Sequence, residues 1–230
     1  MIRRHLIGPH TIGESGFRWR GHEVTRLEGF TDAVFAFAVT LLVVSLEVPK
    51  TFPELLDDLH GFIVFGICFS LLAYVWYMHY RFFRRYGLEN PWTVTLNCAL
   101  LFFVLFYVYP LKFLFTAAFS AQQFSVPEGR LLYGIFGIGY AAVFSVFALL
   151  YWHAWRVRAE LDLNPIETLR TRQSLVDEVV LASFGLISAL LAQVMPPRGV
   201  ELAGFVYFAV PLYFTWSGHY WGKRERLLQT

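Results

Sequence analysis

Apolar residues fill six long stretches of this chain, and polar residues collect in the short segments between them. A helix needs about 20 mostly apolar residues to cross a bilayer core roughly 30 Å thick. None of the stretches alternates over about ten residues as the strands of a membrane β-barrel do. The pattern therefore predicts an all-α integral membrane protein with a single six-helix domain. The predicted spans run over residues 27–48, 55–80, 93–119, 131–152, 179–195 and 200–221.

Composition supports a membrane protein and excludes several other classes. Hydrophobic residues make up 57% of the 230 positions and charged residues 16%, whereas soluble domains are nearer 45–50% and 25%. A disordered chain, a coiled coil and a disulfide-stapled secreted module are excluded by this bias. The two cysteines, Cys68 and Cys98, lie inside apolar stretches without metal-site spacing. We therefore expect no metal site and no cofactor.

The distribution of lysine and arginine predicts the orientation of the spans, because cytoplasmic loops carry an excess of these residues. Of the 19 cationic residues, 15 fall on one side of the predicted spans. The opposite side holds only Lys50, Arg130 and Arg198, and Lys112 falls inside a span. We expect both termini to be cytoplasmic in a multi-pass protein of the inner (plasma) membrane. The net charge of +2 indicates no nucleic-acid partner.

The first span contains an unusual charged residue. An ionisable group at the centre of a span costs about 2.5–3.5 kcal/mol on insertion scales and usually faces protein or water. Asp32 lies more than a turn inside the predicted span, and Arg26 lies six residues earlier at its mouth. That offset places them on different helix faces, so each needs a partner on another helix or subunit unless the long Arg26 side chain reaches across. Alternatively, Asp32 and Thr31 cap the helix near the interface.

A stripe of mostly apolar residues follows in the same span. Its members recur at helical spacing, and they are Phe37, Thr40, Leu41, Val44 and Val48. Such a stripe is more often a packing face than the lining of a pore. The Thr40 hydroxyl either bonds back to its own helix or faces an ion path.

An enzyme and a transporter would each leave a recognisable pattern in the sequence. The chain contains no HExxH, GxSxG or glycine-rich phosphate loop, so we do not expect an enzyme. The glycine-rich run at 134–139 indicates helix packing instead. The alternative function is a proton-coupled transporter of small solutes, with Asp32 as its proton relay. That class predicts interrupted spans at matching positions of two halves, whereas only Pro110 and Pro211 interrupt spans here.

The run at 26–32 resembles the RxxxF(S/T)D signature of the transmembrane protein 175 type of potassium channel. Further matches occur at the end of the second span and in the third. The span count, the cytoplasmic termini and the length also match, so the resemblance covers essentially the whole chain. The matching positions are Arg26, Phe30, Thr31 and Asp32 in the first span, Trp76 and His79 in the second, and Asn97 and Pro110 in the third.

The resemblance implies a potassium-selective, weakly discriminating cation channel, in which six-helix subunits form a homotetramer around a pore lined by the first helices. The family lacks the TVGYG filter of ordinary potassium channels, and this sequence lacks it as well. By position, the constriction would consist of Phe37, Leu41 and Val44, with Thr40 as an adjacent polar layer. The family usually has Ile or Leu where this chain has Phe37, and four phenyl rings would narrow the pore further.

The remaining expected site residues lie at the two ends of the first span. Glu47 would raise the cation concentration at the outer mouth. At the inner end, Arg26, Thr31 and Asp32 would bond with the second and third helices through Trp76, His79 and Asn97. The resemblance therefore makes them, together with Phe30, structural or gating residues. The expected partners are K⁺ and other monovalent cations, the lipid bilayer and further copies of the chain.

Overall fold

The computed structural model describes residues 17–21, 23–44, 51–120 and 124–229, with the side chains of 53–60, 198 and 229 left aside. These residues form helices and connecting loops without a β-strand. The α-helices are α1 (Arg26–Val44), α2 (Phe52–Tyr86), α3 (Pro91–Phe119), α4 (Val126–Arg156), α5 (Pro165–Val194), α6 (Leu202–Phe205) and α7 (Ala209–Gln229). Five of them, α1 to α5, contain a stretch long and apolar enough to cross a membrane. The all-helical membrane architecture expected from the sequence is therefore confirmed.

The fifth helix begins earlier than the predicted span at 179–195. Asn164 caps it, because its side chain accepts a hydrogen bond from the Glu167 backbone N–H at 2.8 Å. The Glu167 carboxylate accepts in return from the Asn164 N–H at 3.0 Å, which completes a capping box, and Pro165 fits the first helical turn. The polar segment before the predicted span is thus the first part of a single long helix.

The sixth apolar stretch, predicted as one span over 200–221, is divided in the structure. Two short 3₁₀ segments, Pro197–Gly199 and Val206–Phe208, flank α6, and α7 follows. Pro211 explains the second interruption, because a proline ring clashes with the carbonyl four residues earlier and removes a backbone donor. That carbonyl belongs to Tyr207, which lies inside the second 3₁₀ segment.

Two glycines bring α4 and α5 into backbone contact. A Cβ atom placed on Gly137 would lie 2.5 Å from the Gly185 carbonyl oxygen, and one placed on Gly185 would lie 2.5 Å from the Gly137 oxygen. Such close approach is typical of membrane helices that pack through small residues. The structure therefore explains the glycine-rich run of the fourth span as a packing surface.

Residues 17–21 form what we call the N-terminal clasp, which joins the ends of α2 and α5. The backbone N–H groups of Arg20 and Gly21 donate to the Arg84 carbonyl at 3.0 and 3.1 Å. The guanidinium groups of Arg18 and Arg20 bind the buried Glu167 carboxylate at 3.0 and 2.8 Å. Hydrogen bonding to Glu167 raises the pKa of Arg18 above its ordinary value. Two guanidinium groups thus balance one buried carboxylate, whose desolvation is otherwise costly.

The α4–α5 contact generates a prediction. Replacing Gly185 with alanine inserts a Cβ atom against backbone, so we expect a loss of about 1–3 kcal/mol of stability and a lower midpoint of thermal unfolding in detergent. Gly66→Ala is the matched control, because the space around Gly66 is open and alanine is favoured over glycine inside a helix by roughly 0.5–1 kcal/mol. Equal midpoints for the two variants would contradict this account of the packing.

Candidate ion pathway and the polar network behind it

The first helix presents two different faces. Thr31, Phe35, Ala38 and Leu42 are buried on one side, where α1 packs against α2 and α3. The opposite side is open in the single subunit. The exposed residues on that side are Phe30, Ala33, Ala36, Phe37, Thr40, Val43 and Val44. An apolar face with no neighbour in its own subunit is available to lipid or to other copies of the chain.

Most of the predicted constriction lies on this open face. Phe37 is 56% exposed and Val44 is 73% exposed. Thr40 is exposed between them, and Leu41 is half-buried at the edge of the face. Glu47, predicted at the outer mouth, and Val48 lie outside the described residues. The structure thus brings Phe37, Thr40 and Val44 together along one line of the helix.

The Thr40 hydroxyl bonds back to its own helix. Its Oγ1 donates to the Ala36 carbonyl at 2.9 Å, a common arrangement for threonine inside a helix. Because the proton is committed to that bond, the lone pairs of the oxygen remain available to a partner outside the helix. The two sequence interpretations of this residue are therefore compatible with each other.

A chain of three buried side chains joins α1 to α3 and α2. Asn97 Nδ2 donates to Thr31 Oγ1 at 2.8 Å, and Thr31 Oγ1 donates to the Leu27 carbonyl at 2.9 Å. Asn97 Oδ1 lies 2.8 Å from His79 Nε2. All three residues are at most 2% exposed.

The donors and acceptors in this chain fix the histidine tautomer. The Asn97 amide nitrogen donates to Thr31, so its oxygen faces His79 and can only accept. His79 Nε2 therefore carries the proton. Packing holds the ring in place, with the Phe83 ring centroid 4.4 Å away. The resulting sequence of donations runs from His79 through Asn97 and Thr31 to the backbone of α1.

Asp32 makes a second connection between α1 and α2. Trp76 Nε1 donates to Asp32 Oδ1 at 2.8 Å. The Trp76 ring stacks on Tyr80 with centroids 5.9 Å apart, which orients the indole N–H. Asp32 is exposed in the single subunit. The charged residue of the first span therefore accepts a hydrogen bond from Trp76 and also lies at the surface of the subunit.

Arg26 and Phe30 do not join this network within the subunit. Both are exposed, and within the described ranges no ion pair or side-chain hydrogen bond of Arg26 is found. Of the seven expected network residues, the structure brings together Thr31, Asp32, Trp76, His79 and Asn97. The expected role of Arg26 and Phe30 stays a prediction that involves another subunit.

Sequence reasoning missed the role of Lys112 at the other end of α1. Its Nζ lies 3.4 Å from the Leu42 carbonyl oxygen in the last turn of the helix. A cation at a helix C-terminus interacts favourably with the unsatisfied carbonyl groups there. The signal in the sequence was a lysine inside an apolar span, but its carbonyl partner on another helix could not be read from it.

Comparison with known proteins identifies the family. The model of the family "Endosomal/lysosomal potassium channel TMEM175" matches residues 26–110, which contain α1, α2 and most of α3. A protein of Marivirga tractuosa named "Potassium channel" is 39% identical over 234 residues, covering 93% of this chain and 94% of the relative. The chain belongs to the TMEM175 family. Membership in a family of channels confirms that it is not an enzyme.

Solved structures of TMEM175 proteins show the same fold. A variant of the potassium channel MtTMEM175, crystallised with a nanobody–MBP fusion protein, superposes with a TM-score of 0.80 at 36% identity. The match covers 92% of this chain and 99% of that one. A lysosomal potassium-selective channel TMEM175 homolog from Chamaesiphon minutus gives a TM-score of 0.57 at 25% identity, covering 83% and 95%.

The buried chain of hydrogen bonds generates a prediction for a double-mutant cycle. Thr31→Val and Asn97→Leu each leave a buried polar partner unpaired, so each variant should lose about 1–3 kcal/mol of stability. The double variant removes both partners and should lose clearly less than the sum of the single losses. Thermal or denaturant unfolding in detergent measures the cycle.

Thr95→Val is the control for this cycle. Thr95 is exposed on α3 and makes only the backbone bond to Pro91, at 2.9 Å, so its replacement should change stability little. Additive losses for Thr31 and Asn97 would show that the two side chains do not act as one unit.

Proposed function

We propose that the protein is a weakly selective potassium channel, a homotetramer whose pore is lined by four copies of α1. The observation that carries the proposal is the open face of α1, which holds Phe37, Thr40 and Val44 while the opposite face is packed within the subunit. Membership in the TMEM175 family supports the same conclusion, since the named relatives are potassium channels.

A constriction of Phe37, Leu41 and Val44 would control conduction by excluding water. A narrow apolar throat strips an ion of its hydration shell, so it gates by dewetting. The Thr40 oxygens next to it would return part of that hydration. Apolar side chains offer K⁺ and Na⁺ no ligands that tell them apart, which is the reason to expect weak selectivity in a chain without TVGYG.

The proposed topology has six spans and both termini in the cytoplasm. Four cation-rich segments meet at one end of the bundle, which supports their placement on one side of the membrane. The N-terminal clasp binds the end of α2 and the start of α5. The Arg170 guanidinium at the start of α5 binds the Glu225 carboxylate near the end of α7, with Nε and Oε2 3.1 Å apart. The excess of cations supports a cytoplasmic position for this end, in a protein that we place in the inner (plasma) membrane.

The polar network would set the rotation of α1 about its axis and so the side chains it presents to the pore. Thr31 and Asp32 are held by bonds to α3 and α2, about one and a half turns before Phe37 begins the constriction. In this proposal Arg26 and Phe30, open in the single subunit, contact the neighbouring subunit, and Glu47 lies at the outer mouth.

The constriction generates the first functional prediction. Phe37→Ala should raise K⁺ flux into proteoliposomes roughly tenfold, which corresponds to a barrier lower by about 1.4 kcal/mol. Val44→Ala should raise it in the same direction. Phe102→Ala is the matched control, because Phe102 is a similarly exposed phenylalanine on α3.

The opposite pattern would favour the proton-coupled transporter. In that case neither Phe37→Ala nor Val44→Ala changes the flux, and Asp32→Asn abolishes a pH-driven uptake of solute. Flux that depends on Asp32 protonation but not on the apolar stripe would therefore overturn the channel proposal.

The Thr40 layer generates a prediction about selectivity. Thr40→Val keeps the shape of the side chain and removes the oxygen, so the reversal potential in mixed K⁺ and Na⁺ should move toward the value of an unselective pore. Thr95→Val, outside the proposed pore, should leave the reversal potential unchanged. An unchanged potential in Thr40→Val would exclude this oxygen from the discrimination between ions.

A further inference from the structure

A small cavity opens beside the end of α2 that the proposed ion pathway does not use. It has a volume of about 60 Å³, and its walls are Trp19, Tyr77, Tyr80, Arg81, Arg84 and Arg85. A single water molecule needs about 10–15 Å³ of such space, so the cavity has room for a larger polar group. Five of its six lining residues come from one face of α2, and the sixth belongs to the N-terminal clasp.

The spacing along α2 places the arginines together. Arg81, Arg84 and Arg85 follow Tyr77 by four, seven and eight residues, which is the spacing of one helix face. The Trp76 and His79 side chains of the polar network point to a neighbouring face toward α1 and α3. The cavity therefore lies beside the network that holds α1, and Tyr80, which stacks on Trp76, adjoins both.

The aromatic residues orient the guanidinium groups. The Arg84 guanidinium lies 4.6 Å from the Trp19 ring centroid and 5.9 Å from that of Tyr80, and Arg81 lies 6.0 Å from that of Tyr77. Arg84 Nη1 also donates to the Gly21 carbonyl at 2.7 Å. Stacking on aromatic faces fixes the planar groups and leaves donors at their edges.

The positive charge around the cavity exceeds the nearby negative charge. Five arginines lie in the clasp and at the end of α2, and the Glu167 carboxylate is already held by two of them. Neither Arg81 nor Arg85 forms an ion pair with a carboxylate in the part of the chain that the structure describes. Arg81 Nε is buried without a hydrogen-bond partner, although the buried Glu178 lies close enough to interact electrostatically.

Clustered guanidinium groups are suited to phosphate. Arginine binds phosphate oxygens in a bidentate, charge-assisted manner, and basic pockets at the cytoplasmic end of membrane helices bind anionic lipid headgroups. Tryptophan and tyrosine favour the same depth, where the headgroups lie. A lipid also fits better than a free anion, because the apolar body of α2 continues directly from the cavity into the membrane span.

We propose that the cavity of Trp19, Tyr77, Tyr80, Arg81, Arg84 and Arg85 binds the phosphate group of an anionic phospholipid in the cytoplasmic leaflet. The assignment to the cytoplasmic leaflet rests on the topology proposed above, whereas the site itself does not depend on that topology. A lipid bound there bridges α2 and the N-terminal clasp, which precedes α1 by a few residues. Binding would thus stabilise the segment that leads into the proposed pore helix.

The test compares thermal unfolding of the purified protein in detergent with three added probes. Phosphatidylglycerol should raise the unfolding midpoint by several degrees, because a ligand that binds only the folded state stabilises it. Phosphatidylcholine at the same concentration should raise it less, since its positive choline group offsets the negative charge of its phosphate. Inorganic phosphate should have little effect. Equal shifts with both lipids, or an equal shift with phosphate alone, would overturn an anionic-lipid site.

Variants then locate the site. Arg81→Gln and Arg85→Gln should each lose at least half of the phosphatidylglycerol shift. Arg224→Gln should keep it, because Arg224 is an exposed arginine stacked on Tyr220 at 4.5 Å outside the cavity. An equal loss in all three variants would mean that the lipid binds by general charge alone. Arg81→Lys gives a second measure if the glutamine variant fails to fold.

The experiment is independent of the channel proposal. Detergent removes both leaflets and no ion flux is measured, so a negative result affects only the lipid site. A positive result would equally survive if the protein turned out not to conduct.

Discussion

The hydrogen bonds that run from His79 through Asn97 to Thr31 fix how α1 is turned about its axis. Inside a bilayer, the hydrophobic effect gives an apolar helix little reason to prefer one face over another, because lipid tails are as apolar as leucine. Both faces of α1 are largely apolar. A polar contact that is satisfied in one rotation only therefore decides which side chains face the subunit. The exposure of Phe37 and Val44 depends on that choice.

A second set of contacts holds the beginning of α1 through the segment that precedes it. The N-terminal clasp ties the chain just before α1 to α2 and α5 through backbone bonds and the buried Glu167 carboxylate. The frame behind it is stiff, because α4 and α5 touch through Gly137 and Gly185 with no room for a side chain between them. The helix with the open face thus packs on α2 and α3 and is anchored near its beginning.

Sequence reasoning succeeded where the signal was local and failed where it depended on tertiary context. Thr31 and Asp32 inside an apolar span, together with the resemblance, predicted the contacts with Asn97 and Trp76, because a polar group inside a span needs a partner. The sequence showed Pro211 as an interruption of the sixth span, but it did not show the two 3₁₀ segments and the short α6, because hydropathy does not register how a proline divides a helix. Lys112 could not be placed from its sequence position, since its carbonyl partner belongs to a helix 70 residues away. Arg26 was expected in the network, but a single subunit offers it no partner among the described residues.

The back-bonded hydroxyl of Thr40 has a consequence for the sign of the charge that passes. A halide or other anion needs N–H or O–H groups to replace its water, and this hydroxyl has already given its hydrogen to the Ala36 carbonyl. Around the proposed axis, four such oxygens would form a ring that accepts but does not donate. Such a ring rejects anions without containing a single ionised group, so the direction of one proton in a neutral side chain would be enough to make the passage cationic.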